Sequence, residues 1–223
     1  MAVVETLRAV PLFAHLGDEE LGRLAAAVRD RTYPRHSVIL FEDDPGDALY
    51  VVIGGQVKVV LIGEDGREVI LAVFGPGDFF GEMALIDDEP RSAHVIAMED
   101  AELLVLRRDD FHRALDEYPR IALGLLRALS RRLRRADDKI GALVLLDVPS
   151  RVARILVELA DEGDGTSVTR RVTHHTIAQM VGSSRETVSR TMRDLSDQGL
   201  IEVSREGIRI VDRAALRAVA KLA

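Results

Sequence analysis

The sequence predicts an α+β chain: an N-terminal antiparallel β-roll of the jelly-roll kind, one long helix, and a C-terminal winged helix-turn-helix. Three observations carry that reading. From Arg31 to Arg108 apolar residues alternate with a period of two, between recurrent Gly, Pro and Asp turn signals. From Pro119 to about Asp147 the apolar period lengthens to steps of four and three. From Thr173 to Leu195 two short helical patterns flank Gly182, and two apolar runs around Gly207 follow.

A chain of 223 residues suits one large or two modest domains, and 47% hydrophobic content is enough to build cores. No run of about 18 apolar residues occurs, so no membrane span is expected. Met1 to Val10 lacks a signal-peptide apolar stretch, and a cytoplasmic protein is the expectation. The absence of cysteine excludes disulfides, thiolate metal sites and cysteine-held iron–sulfur clusters. The net charge of −7 argues against indiscriminate coating of nucleic acid. It is unevenly spread: from Val148 onward 12 Lys and Arg face 10 Asp and Glu, whereas the preceding part holds 18 against 27. The C-terminal third is the part that DNA tolerates.

Asp18 is the expected N-cap of a helix with Glu19 and Glu20 in its first turn and Leu21, Leu24, Ala25 and Val28 as its buried stripe. In the β region Ala48–Ile53 is expected to meet Gln56–Leu61 across a Gly54-Gly55 hairpin, and Glu64-Asp65-Gly66 to turn the chain into Glu68–Phe74. A metal-binding jelly roll is the rival for such a unit, but His36 and His94 stand isolated. Asp109 is the expected cap of a helix through Tyr118. In the long helix Ala122, Leu126, Leu129, Leu133, Ala136, Ile140 and Leu143 form a seam suited to a second chain, while Arg131, Arg132, Arg134 and Arg135 keep the opposite faces wet. Val148-Pro149 ends that helix, and Ser150 is placed to cap the next. The organisation expected is 1–118, 119–147 and 148–223.

Within the first part, Gly75 to Ala93 reads GPGDFFGEMALIDDEPRSA. Phe79, Phe80, Met83, Leu85 and Ile86 have the spacing of one buried helical turn, Gly81 permits close backbone approach, and Pro90 stops the turn before Arg91 and Ser92. An arginine fork, a hydroxyl and free N–H groups of a helical turn suit a phosphate, and a carboxylate beside them suits a sugar hydroxyl. A surface hairpin in which Arg91 pairs with Asp87, Asp88 or Glu89 is the alternative. The run G-E-M-A-L-x(5)-R-S-A resembles the phosphate-binding cassette of cyclic-nucleotide-binding domains, in the form found in the Crp/Fnr family. The resemblance implies that Arg91 and Ser92 hold a cyclic phosphate, Glu82 the ribose 2′-hydroxyl, and the backbone of Gly81, Glu82, Met83 and Ala84 the rest of the cradle.

In the last part, small Ala178, Gly182 and Val188 have helix-turn-helix spacing, with Ser184 capping the second helix. Arg185, Glu186 and Arg190 are then its first exposed side chains. Arginine offers two donors to guanine, and glutamate accepts from cytosine N4. Thr173, Ser183, Ser184, Thr187 and Ser189 carry hydroxyls suited to phosphate oxygens. Leu200–Val203 and Gly207–Val211 read as a β-wing around Ser204-Arg205-Glu206-Gly207. S-R-E-T-V-x-R resembles the recognition helix of the cyclic-AMP receptor branch of the same family, which implies a double-stranded DNA partner and a homodimer. His174-His175 lack a third metal ligand nearby and read as helix-surface residues.

That resemblance covers nearly the whole chain, and it implies a cyclic-nucleotide-responsive transcription regulator, with cyclic AMP as effector and no metal. It also implies that the Asp161–Gly165 loop touches RNA polymerase. One departure bears on the effector. Where family members carry a threonine and a serine that reach the adenine, the serine from the partner chain, this chain has Ala136 and Asp137. A carboxylate suits the N1–H and N2–H₂ donors of guanine better than adenine, so cyclic GMP and cyclic di-GMP stand beside cyclic AMP. A member of the family that has lost nucleotide sensing is the second reading. No Walker loop, serine–histidine–acid arrangement or metal cluster points to an enzyme.

Overall fold

A computed structural model describes residues 2–168, 172–204 and 207–222, which form two compact units, 1–133 and 134–223. In the first unit α1 (Ala2–Ala9) and α2 (Asp18–Ala27) precede β1 (Arg29–Tyr33), β2 (Val38–Leu40), β3 (Ala48–Gly54), β4 (Val57–Ile62), β5 (Glu68–Phe74) and β6 (Phe79–Phe80). A single helical turn α3 (Met83–Ile86), β7 (His94–Ala97), β8 (Ala101–Arg107) and α4 (Arg108–Glu117) follow, and α5 runs from Pro119 to Leu145. The second unit holds α6 (Val148–Asp161), β9 (Ser167–Val168), α7 (His174–Val181), α8 (Arg185–Asp197), β10 (Ile201–Val203), β11 (Ile208–Ile210) and α9 (Arg213–Val219).

Two four-stranded antiparallel sheets, β1-β8-β3-β6 and β2-β7-β4-β5, form the β-roll. Successive side chains point to opposite faces, and the mostly apolar runs of β3 and β8 are therefore buried on both. Leu49, Val51, Leu104 and Leu106 point to a layer built by Leu7, Phe13, Leu21, Phe111, Ile121 and Leu125 of the helices and their connections. Tyr50, Val52, Ala101 and Leu103 point inward to Val57, Phe74, Phe80 and Val95. The long helix turns Ile121, Gly124, Leu125 and Ala128 to the β-roll, while Leu126, Leu133 and Ile140 are 61%, 64% and 60% exposed. At about 1.5 Å per residue its 27 residues extend about 40 Å. No helix among the described residues is long and apolar enough to cross a membrane.

Several local expectations need correction. β3 and β4 are not a hairpin: β3 pairs with β8 and β6, and β4 with β5 and β7. Gly54-Gly55 carries the chain from one sheet to the other. Gly55 has φ +73°, and a Cβ there would lie 2.2 Å from the Asp100 carbonyl oxygen, so the glycine serves a close crossing and not a two-residue turn. The β4–β5 hairpin over Glu64-Asp65-Gly66 forms as expected. Three caps fall elsewhere. Gly17 is the N-cap of α2, with its N–H donating to Glu20 at 2.6 Å. Arg107 is the N-cap of α4, which leaves Asp109 inside the first turn. Asp147 accepts from the Ser150 N–H at 2.9 Å, so it caps α6 while Ser150 is buried in the helix. Phe79 and Phe80 lie on a strand, and of the expected helical stripe Leu85 is buried whereas Met83 and Ile86 are half exposed.

Candidate functional site

The cradle begins where β3 starts. Its neighbour β6 pairs Phe79 and Phe80 with Val51 and Tyr50, and the Phe80 ring stacks on Tyr50 at 5.2 Å. The chain then turns through Gly81 at φ +85°. A Cβ at Gly81 would lie 2.8 Å from Arg91 Nη1 and 3.0 Å from the Ala48 carbonyl oxygen, so a larger residue would displace the guanidinium.

Arg91 is only 4% exposed. Its Nη1 donates to the Gly81 carbonyl at 2.6 Å, and its Nη2 to the Ala48 carbonyl at 2.9 Å and to Asp47 Oδ1 at 3.2 Å. Nε is buried with no hydrogen-bond partner among the described residues. The main chain is fixed as firmly, since the Arg91 N–H donates to Asp44 O and its carbonyl accepts from the Asp43 N–H, both at 2.9 Å. Two of the acceptors are neutral, and the one carboxylate has a side chain 78% exposed. The guanidinium is thus paired with one exposed carboxylate and keeps one buried donor, Nε, without an acceptor among the described residues. The expected alternative fails: Arg91 pairs with neither Asp87, Asp88 nor Glu89. Asp88 is held by Arg108 instead. Burial, with the charge of Asp47 second, pushes the Tyr50 hydroxyl up to about 12.

Glu82 is 2% exposed. Its Oε1 accepts from Arg132 Nη1 at 2.6 Å, and Arg132 Nη2 donates to the Phe79 carbonyl. The Arg132 guanidinium also lies 4.6 Å from the ring centroids of both Phe74 and Phe79. Arg132 is therefore no wet-face residue, as the helical pattern suggested, but part of the cradle. Ser92 is exposed, with its hydroxyl 3.9 Å from Met83 Sδ. The structure thus brings together Gly81, Glu82, Met83, Ala84, Arg91 and Ser92. Ala136 and Asp137 belong to the second compact unit and are exposed on α5. An open cleft of about 410 Å³ near Arg23, Arg29, Arg107 and Arg113 shares no residue with the cradle.

In the second unit Thr173 caps α7 by accepting from Thr176 N, and Gly182 adopts the left-handed conformation that ends it. Ser184 accepts from Thr187 N at 3.1 Å and so starts α8. Val188, Thr191, Met192 and Leu195 face inward, leaving Arg185, Glu186 and Arg190 exposed on the opposite side. The Glu186 carboxyl is held below its ordinary range, by its own backbone N–H first and Ser184 second. Ser183 and Thr187 are half-buried, and Ser189 Oγ is 2.9 Å from His174 Nδ1. That bond pins α7 to α8, a structural role for His174 beyond the surface position expected of it. β10 and β11 form the two arms of a wing with β9 beside them. Arg205 and Glu206, expected in the wing, lie outside the described residues.

The cyclic-nucleotide-binding domain family matches residues 30–118, and the Crp-like helix-turn-helix domain family matches residues 150–219. The chain belongs to the Crp/Fnr family. It is 36% identical over 214 residues to the cyclic AMP receptor protein of Thermus thermophilus, covering 96% of this chain and 98% of that protein. It is 35% identical to the CRP-like cAMP-activated global transcriptional regulator of Mycobacterium tuberculosis, over 95% of this chain and 97% of the relative. Among solved structures, the c-di-GMP responsive global regulator CLP of Xanthomonas campestris superposes with a TM-score of 0.77 at 29% identity, covering 87% of this chain and 99% of that one. This Crp/Fnr protein is accordingly a cyclic-nucleotide-binding type of transcription regulator, and its curated relatives are regulators and not enzymes. The cradle fits such a ligand: a buried Arg91 nitrogen lacks a partner among the described residues, and Gly81, with no Cβ, lets the guanidinium lie close against the backbone.

Three residues of this arrangement escaped the sequence reading: Asp47, Arg108 and Arg132. Each acts across 20 or more positions in the chain. No local period marks them.

Proposed function

We propose that this Crp/Fnr regulator binds a cyclic nucleotide, cyclic AMP first among the candidates, and in response binds a palindromic operator as a homodimer. The observation that carries the reading is Arg91, buried, aimed by two neutral carbonyls and unsatisfied at Nε. A cyclic phosphate supplies a second anionic partner beside the exposed Asp47 carboxylate, with Ser92 donating from its hydroxyl. Glu82 keeps lone pairs beyond the one given to Arg132 and can accept from a ribose hydroxyl.

In this reading residues 1–118 hold the nucleotide, 119–147 pair two chains, and 148–223 read DNA. The exposed Leu126, Leu133 and Ile140 support the pairing, because a seam this apolar is covered by a second helix in stable assemblies. Exposure of Arg185, Glu186 and Arg190 supports their access to base edges, and Thr173, Ser183, Ser184, Thr187 and Ser189 supply phosphate contacts. Nucleotide binding shifts the population toward the arrangement that spaces two recognition helices for successive major grooves. The Asp161–Gly165 loop is the surface offered to RNA polymerase.

Cyclic GMP and cyclic di-GMP form the second reading of the effector, favoured by Asp137 standing where an adenine-reading hydroxyl would be. Calorimetry with cyclic AMP, cyclic GMP and cyclic di-GMP in parallel, then operator binding with the tightest ligand, decides among them. Binding of none of the three, together with nucleotide-independent DNA binding, would make this a family member without a nucleotide effector.

A further inference from the structure

We infer that Arg108 is the positioning residue of the phosphate cradle: it holds both walls against which Arg91 is aimed. The inference rests on the nucleotide-binding reading above and concerns a residue outside the cassette. Arg108 opens α4, and its N–H donates to the Asp47 carbonyl at 2.8 Å. Its side chain then grips two separate segments. Nε and Nη2 donate to the Gly46 carbonyl at 3.0 and 2.8 Å, Nη2 donates to the Ala84 carbonyl at 2.7 Å, and Nη1 binds Asp88.

The strip Gly46-Asp47-Ala48 is consequently held from both sides. Arg108 takes the first two carbonyls, and Arg91 takes the third together with the Asp47 carboxylate. Gly46 also lies hard against the cassette, since a Cβ there would be 2.4 Å from Ala84 Cβ. On the other wall, α3 is a single turn and cannot satisfy its own last carbonyls. Arg108 supplies the donor for Ala84 and anchors Asp88, a non-glycine residue at φ +59°. If the strip or the turn slides, Ala48 O and Gly81 O move, and the Arg91 fork moves with them.

A lysine cannot reproduce this arrangement. The contact set needs a planar fork with several fixed donors, whereas an ammonium is a single point of charge. Charge at residue 108 is thus insufficient, and that separates positioning from a general electrostatic effect.

The test is calorimetry and thermal melting of the full chain as wild type, Arg108→Lys, Arg108→Gln and Asp88→Asn, titrated with cyclic AMP, cyclic GMP and cyclic di-GMP. Both Arg108 variants are expected to weaken the tightest nucleotide by about tenfold or more, the scale of one or two lost charge-assisted hydrogen bonds. Binding stoichiometry per chain should stay at the wild-type value, because folded protein is being mis-aimed, not lost. Asp88→Asn should weaken it less. In a cycle with Arg91→Lys, the Arg108→Gln loss should be less than additive. Wild-type affinity in Arg108→Lys, or a fall in stoichiometry with unchanged affinity, overturns the positioning role while leaving the nucleotide reading intact. If the wild type binds none of the three nucleotides, the reading itself falls and the inference falls with it.

Discussion

Arg132 on α5 and Glu82 in the cradle are joined at 2.6 Å, with the carboxylate 2% exposed and the guanidinium capped by two phenyl rings. Removing one partner of such a pair leaves a charge stranded away from water. Arg132→Met is expected to lower the stability of the nucleotide-free protein by about 3 kcal/mol, the low end for breaking a buried pair, since Arg132 keeps some contact with solvent. Urea unfolding checks it. Wild-type stability would mean that Glu82 finds water or another donor once Arg132 is gone.

Gly55 supports a second prediction. Its positive φ and the 2.2 Å approach of a Cβ to Asp100 O mean that Gly55→Ala meets both backbone strain and a clash with main chain that cannot rotate away. A loss of at least about 2 kcal/mol is expected, read from chemical unfolding of the full chain. A neutral substitution would show that the crossing between sheets relaxes freely.

The same glycine marks the limit of what was legible in the sequence. Period and turn chemistry located the strands, but Gly54-Gly55 has identical local chemistry in a hairpin and in a crossing between sheets. Only the approach of Asp100 and Ala101, distant in sequence, distinguishes the two. Caps slipped for a related reason: Asp18, Asp109 and Ser150 are good capping types, yet Gly17, Arg107 and Asp147 took the positions once tertiary packing set where each helix starts. The cassette residues could be read as a group because Gly81, Glu82, Arg91 and Ser92 lie within one short segment. Arg108 and Arg132, which hold that segment in place, sit among many other arginines and carry no pattern of their own.

If two chains pair through α5 as proposed, a third prediction follows. Leu129 belongs to the expected seam but packs partly on its own β-roll, so Leu133 and Ile140 are the cleaner probes. Ile140→Lys should convert the dimer to monomer in sedimentation velocity at micromolar concentration, with the melting of the β-roll unchanged. A dimer that survives both Ile140→Lys and Leu133→Lys would place the interface elsewhere.

Asp147 supplies a pH-dependent case. Its carboxyl is held below the ordinary 3.8, by the Ser150 side chain first and the Ser150 N–H second. A carboxyl lowered on folding stabilises above its unfolded value, and the contribution fades as pH falls through the lowered one. Asp147→Ala is therefore expected to cost about 1 kcal/mol at pH 7, the usual worth of a cap. The gap from wild type should narrow on going below pH 3.8. A gap independent of pH would assign the loss to packing and not to the charged cap.

The exposed face of α8 carries the last prediction. Arg185 and Glu186 occupy the first turn after the Ser184 cap, both are exposed, and neither is drawn into an ion pair among the described residues. If Arg185 reads a guanine, Arg185→Ala should cost about 1–3 kcal/mol on the operator and relax the preference at one base pair, while affinity for random DNA changes little. Glu186→Gln should relax the preference at a different position, because an amide no longer presents an acceptor-only edge to cytosine N4. Competition binding against a library randomised at each half-site position measures both. Equal losses on operator and random sequence would demote Arg185 to a phosphate contact, and the wing or Arg190 would then have to supply the discrimination.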